Sequence, residues 1–250
     1  MFDWVRKGVS KLNEYVNKPL EKRSDNLEWL ELELADWLKS PARKDQIKGD
    51  MYYNGKQEIL KHKRYVIGKD GEKVEVKNLP NEKKIDNQYA RLVNQKTNHL
   101  VGKAFTVDSE NDEYVKKLKK QYFNKRFTKL LKAVGKDVQN GGISYIYPYY
   151  EDNKLKFKHM KSYNVKVYWK DDEHEEIDFF WHYYKEAVRM PNGTIERIEH
   201  LEVYTLDGVR YYYRNKDNGT LLYDSKKGEK GYSSYLHYVE SNGDDYSGMT

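Results

Sequence analysis

Cysteine is absent from the 250 residues, which excludes a disulfide framework, a thiolate metal site and a cysteine nucleophile. Proline is scarce, at 5 residues, and the 16 glycines show no period, so the chain is neither collagen-like nor a Pro/Gly-rich disordered tract. Long apolar runs are missing as well. No stretch approaches the roughly 20 apolar residues that cross a bilayer, and the N-terminal MFDWVRKGVSKLNEYV lacks the apolar centre of a secretory signal, so no membrane partner is expected. What the chain has in quantity is charge and tyrosine: 34% charged residues, 14% aromatics and 24 tyrosines, with a mean hydropathy of -1.05. Tyrosines suit half-buried positions and interfaces, where one end is apolar and the other wet.

The net charge of +6 permits nucleic-acid contact without demanding it, because acids and bases are intermixed. Locally they segregate. The first expected helix, Asn26 to Lys39, has Glu28, Glu31, Glu33 and Asp36 on its outer face, whereas Lys116 to Lys136 is strongly basic. An acidic face on one copy opposing a basic face on the next is an arrangement that a self-associating subunit can use.

The order of elements predicts an α+β fold. Residues 1–23 read as a basic leader, and Ser24-Asp25-Asn26 offers N-caps for a helix with the apolar stripe Leu27, Leu30, Leu34, Trp37 and Leu38. Ser40-Pro41 opens a second helix that stops near Gly55. Strands at 64–67 and 73–77 flank Asp70-Gly71, a hairpin turn signal. A long helix is expected from Asn81 to Leu100, with Ile85, Tyr89, Leu92, Val93 and Leu100 on its apolar side and a left-handed stop at Gly102. A single helix from Asp112 to Val138 follows, closing a helical region of residues 24–141. Residues 142–240 then alternate in the manner of an antiparallel meander, turning at Asp152-Asn153, Asp171-Asp172, Asn192-Gly193, Asp207-Gly208 and Asn218-Gly219. The tail 241–250 is a polar loop.

Chemistry-bearing patterns are few. Gly-Lys pairs at 55–56, 68–69, 102–103 and 135–136 are followed by Gln57, Asp70, Ala104 and Asp137, so none has the Ser or Thr of a phosphate cradle, and no nucleotide cofactor is implied. The acidic run Asp171 to Glu176 lacks calcium-loop spacing and reads as a solvated turn, and no two histidines fall at i, i+4, so no metal is implied either. Gly142-Ile143-Ser144 reads as a strand start and not as a nucleophile elbow. Tyr145, Tyr147, Tyr149, Tyr150 and Tyr211 to Tyr213 are expected to pack within the sheet, and not to form a stacking platform. No catalytic residue is expected.

The segment Leu92-Val93-Asn94-Gln95-Lys96-Thr97-Asn98-His99-Leu100, entered through Asn87 and left through Gly102-Lys103, resembles the signature helix of tailed-bacteriophage portal proteins, the head-to-tail connectors of long-tailed phages. Tyr53, Gly55 and Ile59, followed by the basic run Lys61 to Arg64, resemble the family's Tyr-x-Gly-x-x-x-Ile segment. One departure is Ala104, where the family usually has proline. The resemblance implies a wing-like α+β region and a dodecameric ring of identical subunits at one capsid vertex. It further implies double-stranded DNA, a terminase large subunit, a scaffolding protein, the major capsid protein and a head-completion protein as partners. The virion, and the host cytoplasm during assembly, are the implied locations, and a further stem, clip and crown are implied beyond the wing. A rival from another class is a sequence-independent nucleic-acid-binding protein using Lys116, Lys117, Lys119, Lys120, Lys125, Arg126, Lys129 and Lys132 beside aromatic strands; the favoured reading of these residues is a solvated face or an intersubunit surface.

Overall fold

The structure is a computed structural model that describes residues 24–103, 106–151, 154–228, 231–234, 238–239 and 245–246. The expected leader, Ala104, the Asp152-Asn153 turn and most of the terminal loop lie outside the described residues. The fold is α+β, and the chain divides into two compact units, Met1–Ser40 with Asn164–Thr250, and Pro41–Tyr163. This grouping cuts across the linear one: the first helix belongs with the late strands, and the first tyrosine-rich hairpin belongs with the helices.

In the first unit, helix α1 (Leu27–Lys39) begins where the Asn26 side chain accepts the Trp29 N–H at 3.1 Å. Leu30, Leu34 and Trp37 recur at helical spacing and are buried, with Leu27, Trp29 and Leu38 packed beside them. Proline with its fixed φ then opens α2 (Pro41–Tyr53) of the second unit, which a left-handed Gly55, φ 71°, stops as expected. Hairpin strands β1 (Tyr65–Ile67) and β2 (Lys73–Glu75) turn through Gly71 at φ 78°.

Helix α3 (Gln88–Val101) is shorter than its periodicity suggested. Residues 81–86 are not helical, because the Asn87 side chain caps the Ala90 N–H at 3.1 Å and starts the helix there, leaving Ile85 outside it. Gly102 is also not a left-handed stop. It keeps right-handed helical angles, φ -73° and ψ -33°, and a Cβ there would collide with the Asn98 carbonyl, so close approach is what demands glycine. The single helix expected from Asp112 to Val138 is two, α4 (Asp112–Gln121) and α5 (Lys125–Gly141). Asn124 breaks it by accepting the N–H groups of Arg126 and Phe127, and the break lets Phe127 meet both Phe123 and Phe157 edge-on. The left-handed glycine stop falls at Gly142, φ 78°.

Strands β3 (Tyr145–Glu151) and β4 (Lys154–Met160) form a hairpin tied to α5 by a buried carboxylate. Asp137 accepts the Ser162 N–H at 2.9 Å, the Ser162 hydroxyl at 3.3 Å and the His159 ring at 3.3 Å. Burial alone would raise the Asp137 pKa, but the hydrogen bonds from His159, Ser144 and the Ser162 backbone outweigh it and hold the carboxyl below its ordinary value.

The first unit's sheet runs β10 (Tyr232–Ser234), β8 (Gly208–Arg214), β7 (Ile195–Tyr204), β6 (Ile177–Arg189) and β5 (Val165–Trp169), all antiparallel, with β9 (Leu221–Tyr223) also on β8. Short strands β11 (Tyr238–Val239) and β12 (Asp245–Tyr246) pair with each other. Asn192-Gly193 and Asn218-Gly219 turn with positive φ at glycine, 82° and 73°. The third expected turn differs, since Gly208 is already the first strand residue of β8 and has no positive φ.

Alternation along β6 sends Phe179, Trp181 and Tyr183 to one face, where they meet Leu201, Val203, Tyr212 and the stripe of α1. Trp181 is fully buried, edge-on to Trp37 at 5.9 Å and to Tyr168 at 5.3 Å. The α1 carboxylates are not all outward. Glu33 binds Lys166 and the Tyr168 hydroxyl, Glu31 accepts the Leu221 N–H at 2.6 Å, and of the expected acidic face Glu28 and Asp36 are exposed. Lys166 also lies over the rings of Tyr168 and Trp181, at 4.9 Å and 5.5 Å from their centroids. On the opposite face Glu202 accepts from Tyr204 at 2.9 Å and Tyr184 at 3.1 Å, and lies 3.1 Å from His182 Nδ1, so each oxygen of a buried carboxyl group has a partner.

Trp181→Ala should destabilise the first unit by about 3–5 kcal/mol, read by urea unfolding, because the cavity opens where α1 meets the sheet. Asp137 supplies stability that is complete above the ordinary aspartate pKa, about 4, and is lost as pH falls through its depressed folded value. Asp137→Asn should therefore lower stability at pH 7 by about 1–3 kcal/mol and flatten the acid limb of the stability curve. Denaturation at pH 7 and pH 3 checks both; an acid limb as steep in the variant as in the parent would refute the assignment.

Candidate functional site

Three helices of the second unit meet where the signature residues lie. Near the end of α2, the Tyr53 hydroxyl donates to Asn94 Oδ1 at 2.9 Å, and the Tyr53 carbonyl accepts from Asn87 Nδ2 at 3.0 Å. Asn87 thus caps α3 with its oxygen and clasps α2 with its nitrogen. Gly55 turns the chain away just beyond, 3.6 Å from Asn87 Nδ2 measured from an ideal Cβ. From α5, Lys136 places its ammonium 5.4 Å from the Tyr53 ring centroid, and Tyr52 meets Tyr89 edge-on at 6.3 Å. Asn87, 34 residues along the chain from Tyr53, is therefore brought against Tyr53 and Gly55.

Against α5 the contact is closer still. Val93 and Thr97 are the buried residues of α3, and Thr97 Cγ2 would lie 3.1 Å from a Cβ at Gly135. Gly49 makes the equivalent approach from α2, where a Cβ would run into the Asn140 carbonyl. Sequence reasoning missed Asn94, Thr97, Gly49 and Gly135. The two glycines carried a readable signal, since glycine inside a helical pattern costs about 1 kcal/mol and needs a packing reason.

The other half of the signature is turned outward. Val93 is buried as expected, but Leu92 is 56% exposed and Leu100 67%, a correction to their expected inward placement. The inward seam is Val93–Thr97, with Val101 beside it, because the glycine at 135 selects the arc that α5 can approach. Gln95, Lys96, Asn98 and Lys103 are exposed, and Ile59, 41% exposed, sits on a separate single turn, Glu58–Lys61. The basic residues do not share one helix. Lys116, Lys117, Lys119 and Lys120 lie exposed on α4, while exposed Lys125, Arg126 and Lys129 and half-buried Lys132 belong to α5.

Ser144, His159 and Asp137 come together, yet the hydroxyl, at 3.0 Å, and the carboxylate both address His159 Nε2. A nucleophilic relay needs them on opposite ring nitrogens, with the carboxylate orienting one and the other taking the serine proton. The arrangement is a clamp. Asp171 likewise closes its own turn, accepting the N–H groups of Glu175 at 2.9 Å and Glu176 at 2.6 Å. Of the tyrosines, Tyr212 is buried with its pKa pushed up to about 12 by that burial, and Tyr147 and Tyr149 stack on each other at 6.1 Å. No helix among the described residues is long and apolar enough to cross a membrane.

This junction of α2, α3 and α5 lies within the stretch that matches known proteins. The family model described as phage portal protein, SPP1 Gp6-like, matches residues 39–240. The portal protein of Bacillus phage SPP1 is 27% identical over 187 residues, covering 73% of this chain and 35% of that relative. The chain thus spans about a third of the length of the curated relative it matches. With the match running from the end of α1 through the last-named strands of the sheet, and with the Tyr53–Asn87–Asn94 clasp inside it, this chain belongs to the phage portal protein family.

Proposed function

We propose that this chain supplies the wing region of a portal subunit, and that complete subunits close into a dodecameric ring at one capsid vertex through which double-stranded DNA is packaged and ejected. The observation that carries the proposal is the family match over residues 39–240. The outward half of the signature helix supports it: Leu92, Gln95, Lys96 and Leu100 are exposed, and an exposed apolar pair amid polar groups suits a contact between subunits. Identical subunits joined head to tail close into a ring when each heterologous interface repeats the same rotation.

The family is structural, and the role inferred for this chain is geometric. It has no Ser or Thr after its Gly-Lys pairs to bind magnesium, and its Ser–His–Asp set is a clamp on one ring nitrogen. Energy for DNA movement is therefore assigned to a separate terminase large subunit. The scaffolding protein, the major capsid protein and a head-completion protein complete the inferred partner set, with the capsid vertex as the final location and the host cytoplasm as the place of assembly.

A subunit extended to the full length of its relative should form rings by negative-stain microscopy and a dodecameric mass by light scattering. Neither that subunit nor the 250-residue chain should hydrolyse ATP in the presence of magnesium. A strictly monomeric full-length subunit at high concentration, or magnesium-dependent ATP hydrolysis by the chain, would sink the proposal.

A further inference from the structure

The β1–β2 hairpin is a small sheet without a covered face. Three residue pairs hold it, Tyr65 with Glu75, Val66 with Val74 and Ile67 with Lys73. Tyr65 is 53% exposed, Val66 49%, Ile67 78% and Val74 44%, and Leu79 just beyond is 48% exposed. Residues pointing to both sides of the ribbon are thus open to solvent. An isolated two-stranded hairpin is marginal in water, since it buries too little to offset the ordering of its chain. A cluster of Tyr, Val and Ile on such a ribbon is a surface that waits for a partner.

Its charge says what kind of partner. Between residues 59 and 79 lie Lys61, Lys63, Arg64, Lys69, Lys73 and Lys77 against Asp70, Glu72 and Glu75, and Glu75 is already paired with Lys63 at 2.8 Å. The ribbon is therefore apolar with a cationic rim. The complementary surface occurs on the same chain. On α1 the residues Glu28, Leu32 and Asp36 recur every fourth position, all exposed, with Leu32 at 67%. That stripe is an apolar side chain between two carboxylates, on the side of the helix opposite the buried Leu30, Leu34 and Trp37.

We propose that the β1–β2 hairpin of one copy docks on the Glu28–Leu32–Asp36 stripe of a neighbouring copy, with Ile67 and Tyr65, which share one face of the ribbon, against Leu32 and the hairpin lysines against the carboxylates. The proposal rests on the ring assigned above, since two different patches on one chain, each fitting the other, are what a heterologous interface requires. A ribbon this short covers far less than the roughly 1,200 Å² of a stable specific interface, so the contact is weak alone and strong only when ring closure makes it intramolecular. The rim charges set its register and the copy that it accepts.

The lack of any native cysteine makes disulfide trapping clean. Leu32→Cys and Ile67→Cys are introduced together into the 250-residue chain and, separately, into the full-length subunit, with each single variant as control, and oxidised at about 100 µM. The expected result is a ladder of dimer, trimer and higher covalent species for the double variant, where each single variant stops at dimer. Asp36→Lys with Glu28→Lys should cut the ladder about tenfold, and Lys69→Glu with Lys73→Glu in the same chain should restore it. Rings that form without a ladder overturn the hairpin contact and leave the ring standing. A ladder without rings in the full-length subunit upholds the contact and removes the ring. Cross-links confined within single chains, or a ladder insensitive to the charge reversals, overturn the proposal. So does protection of Ile67→Cys from alkylation by double-stranded DNA instead of by a second copy.

Discussion

Close approach of backbones at two helical glycines is the constraint on which the second unit depends. Gly49 lets α2 reach the Asn140 carbonyl of α5, and Gly135 lets α5 reach Thr97 of α3. A side chain at Gly49 would collide with that carbonyl, and one at Gly135 would press the Thr97 methyl back by a few tenths of an ångström, loosening the polar contacts beyond. Tyr53 reaches Asn94, and Asn87 reaches the Tyr53 carbonyl, only because all three helices already lie that near. Hydrogen bonds of 2.9 and 3.0 Å tolerate little displacement, so the glycines position the clasp without touching it.

The first unit is organised by a different device. There, aromatic side chains from alternate positions of one long strand meet a single amphipathic helix, edge to face at Trp37 and Trp181, with Leu30, Leu34, Leu201, Val203 and Leu221 packed among them. Polar groups are fitted around that core with partners at hand: Lys166 between two rings and Glu33, Glu202 among His182, Tyr184 and Tyr204. This accounts for a chain of such low mean hydropathy keeping a core, because tyrosine buries area while the hydroxyls of Tyr168, Tyr184 and Tyr204 still find carboxylate acceptors.

Helix α3 divides its sequence between two arcs. Its inner arc, Val93 and Thr97, is committed to folding, and its outer arc, Leu92, Gln95, Lys96 and Leu100, is free of that duty. A subunit built to associate needs such a division, since residues that hold the fold cannot also be spent on a neighbour. On α1 likewise Glu31 and Glu33 bond to the sheet, while Glu28, Leu32 and Asp36 are exposed.

Local physics was legible in the sequence. The start of α2 at Pro41, its stop at Gly55, the Gly71 hairpin, the stripe Leu30–Leu34–Trp37 and the alternation of the late strands all follow from rules that act within a few residues. The motif around Leu92 to Lys103 likewise pointed to the family that the match over residues 39–240 bears out. What periodicity left undecided was decided partly by local caps and partly at long range. Capping by Asn87 and Asn124 shortened one helix and split another, because side chains competed for backbone N–H groups that periodicity alone assigned to a continuing helix. That Val93 and Thr97 of α3 face inward in place of Leu92 and Leu100 depended on where α5 presented a glycine, and which carboxylates of α1 are tied to the sheet depended on where Lys166 and the Leu221 N–H fell. A helical stripe specifies a face only to within one residue's rotation, about 100°, and the neighbour that packs there chooses the rest.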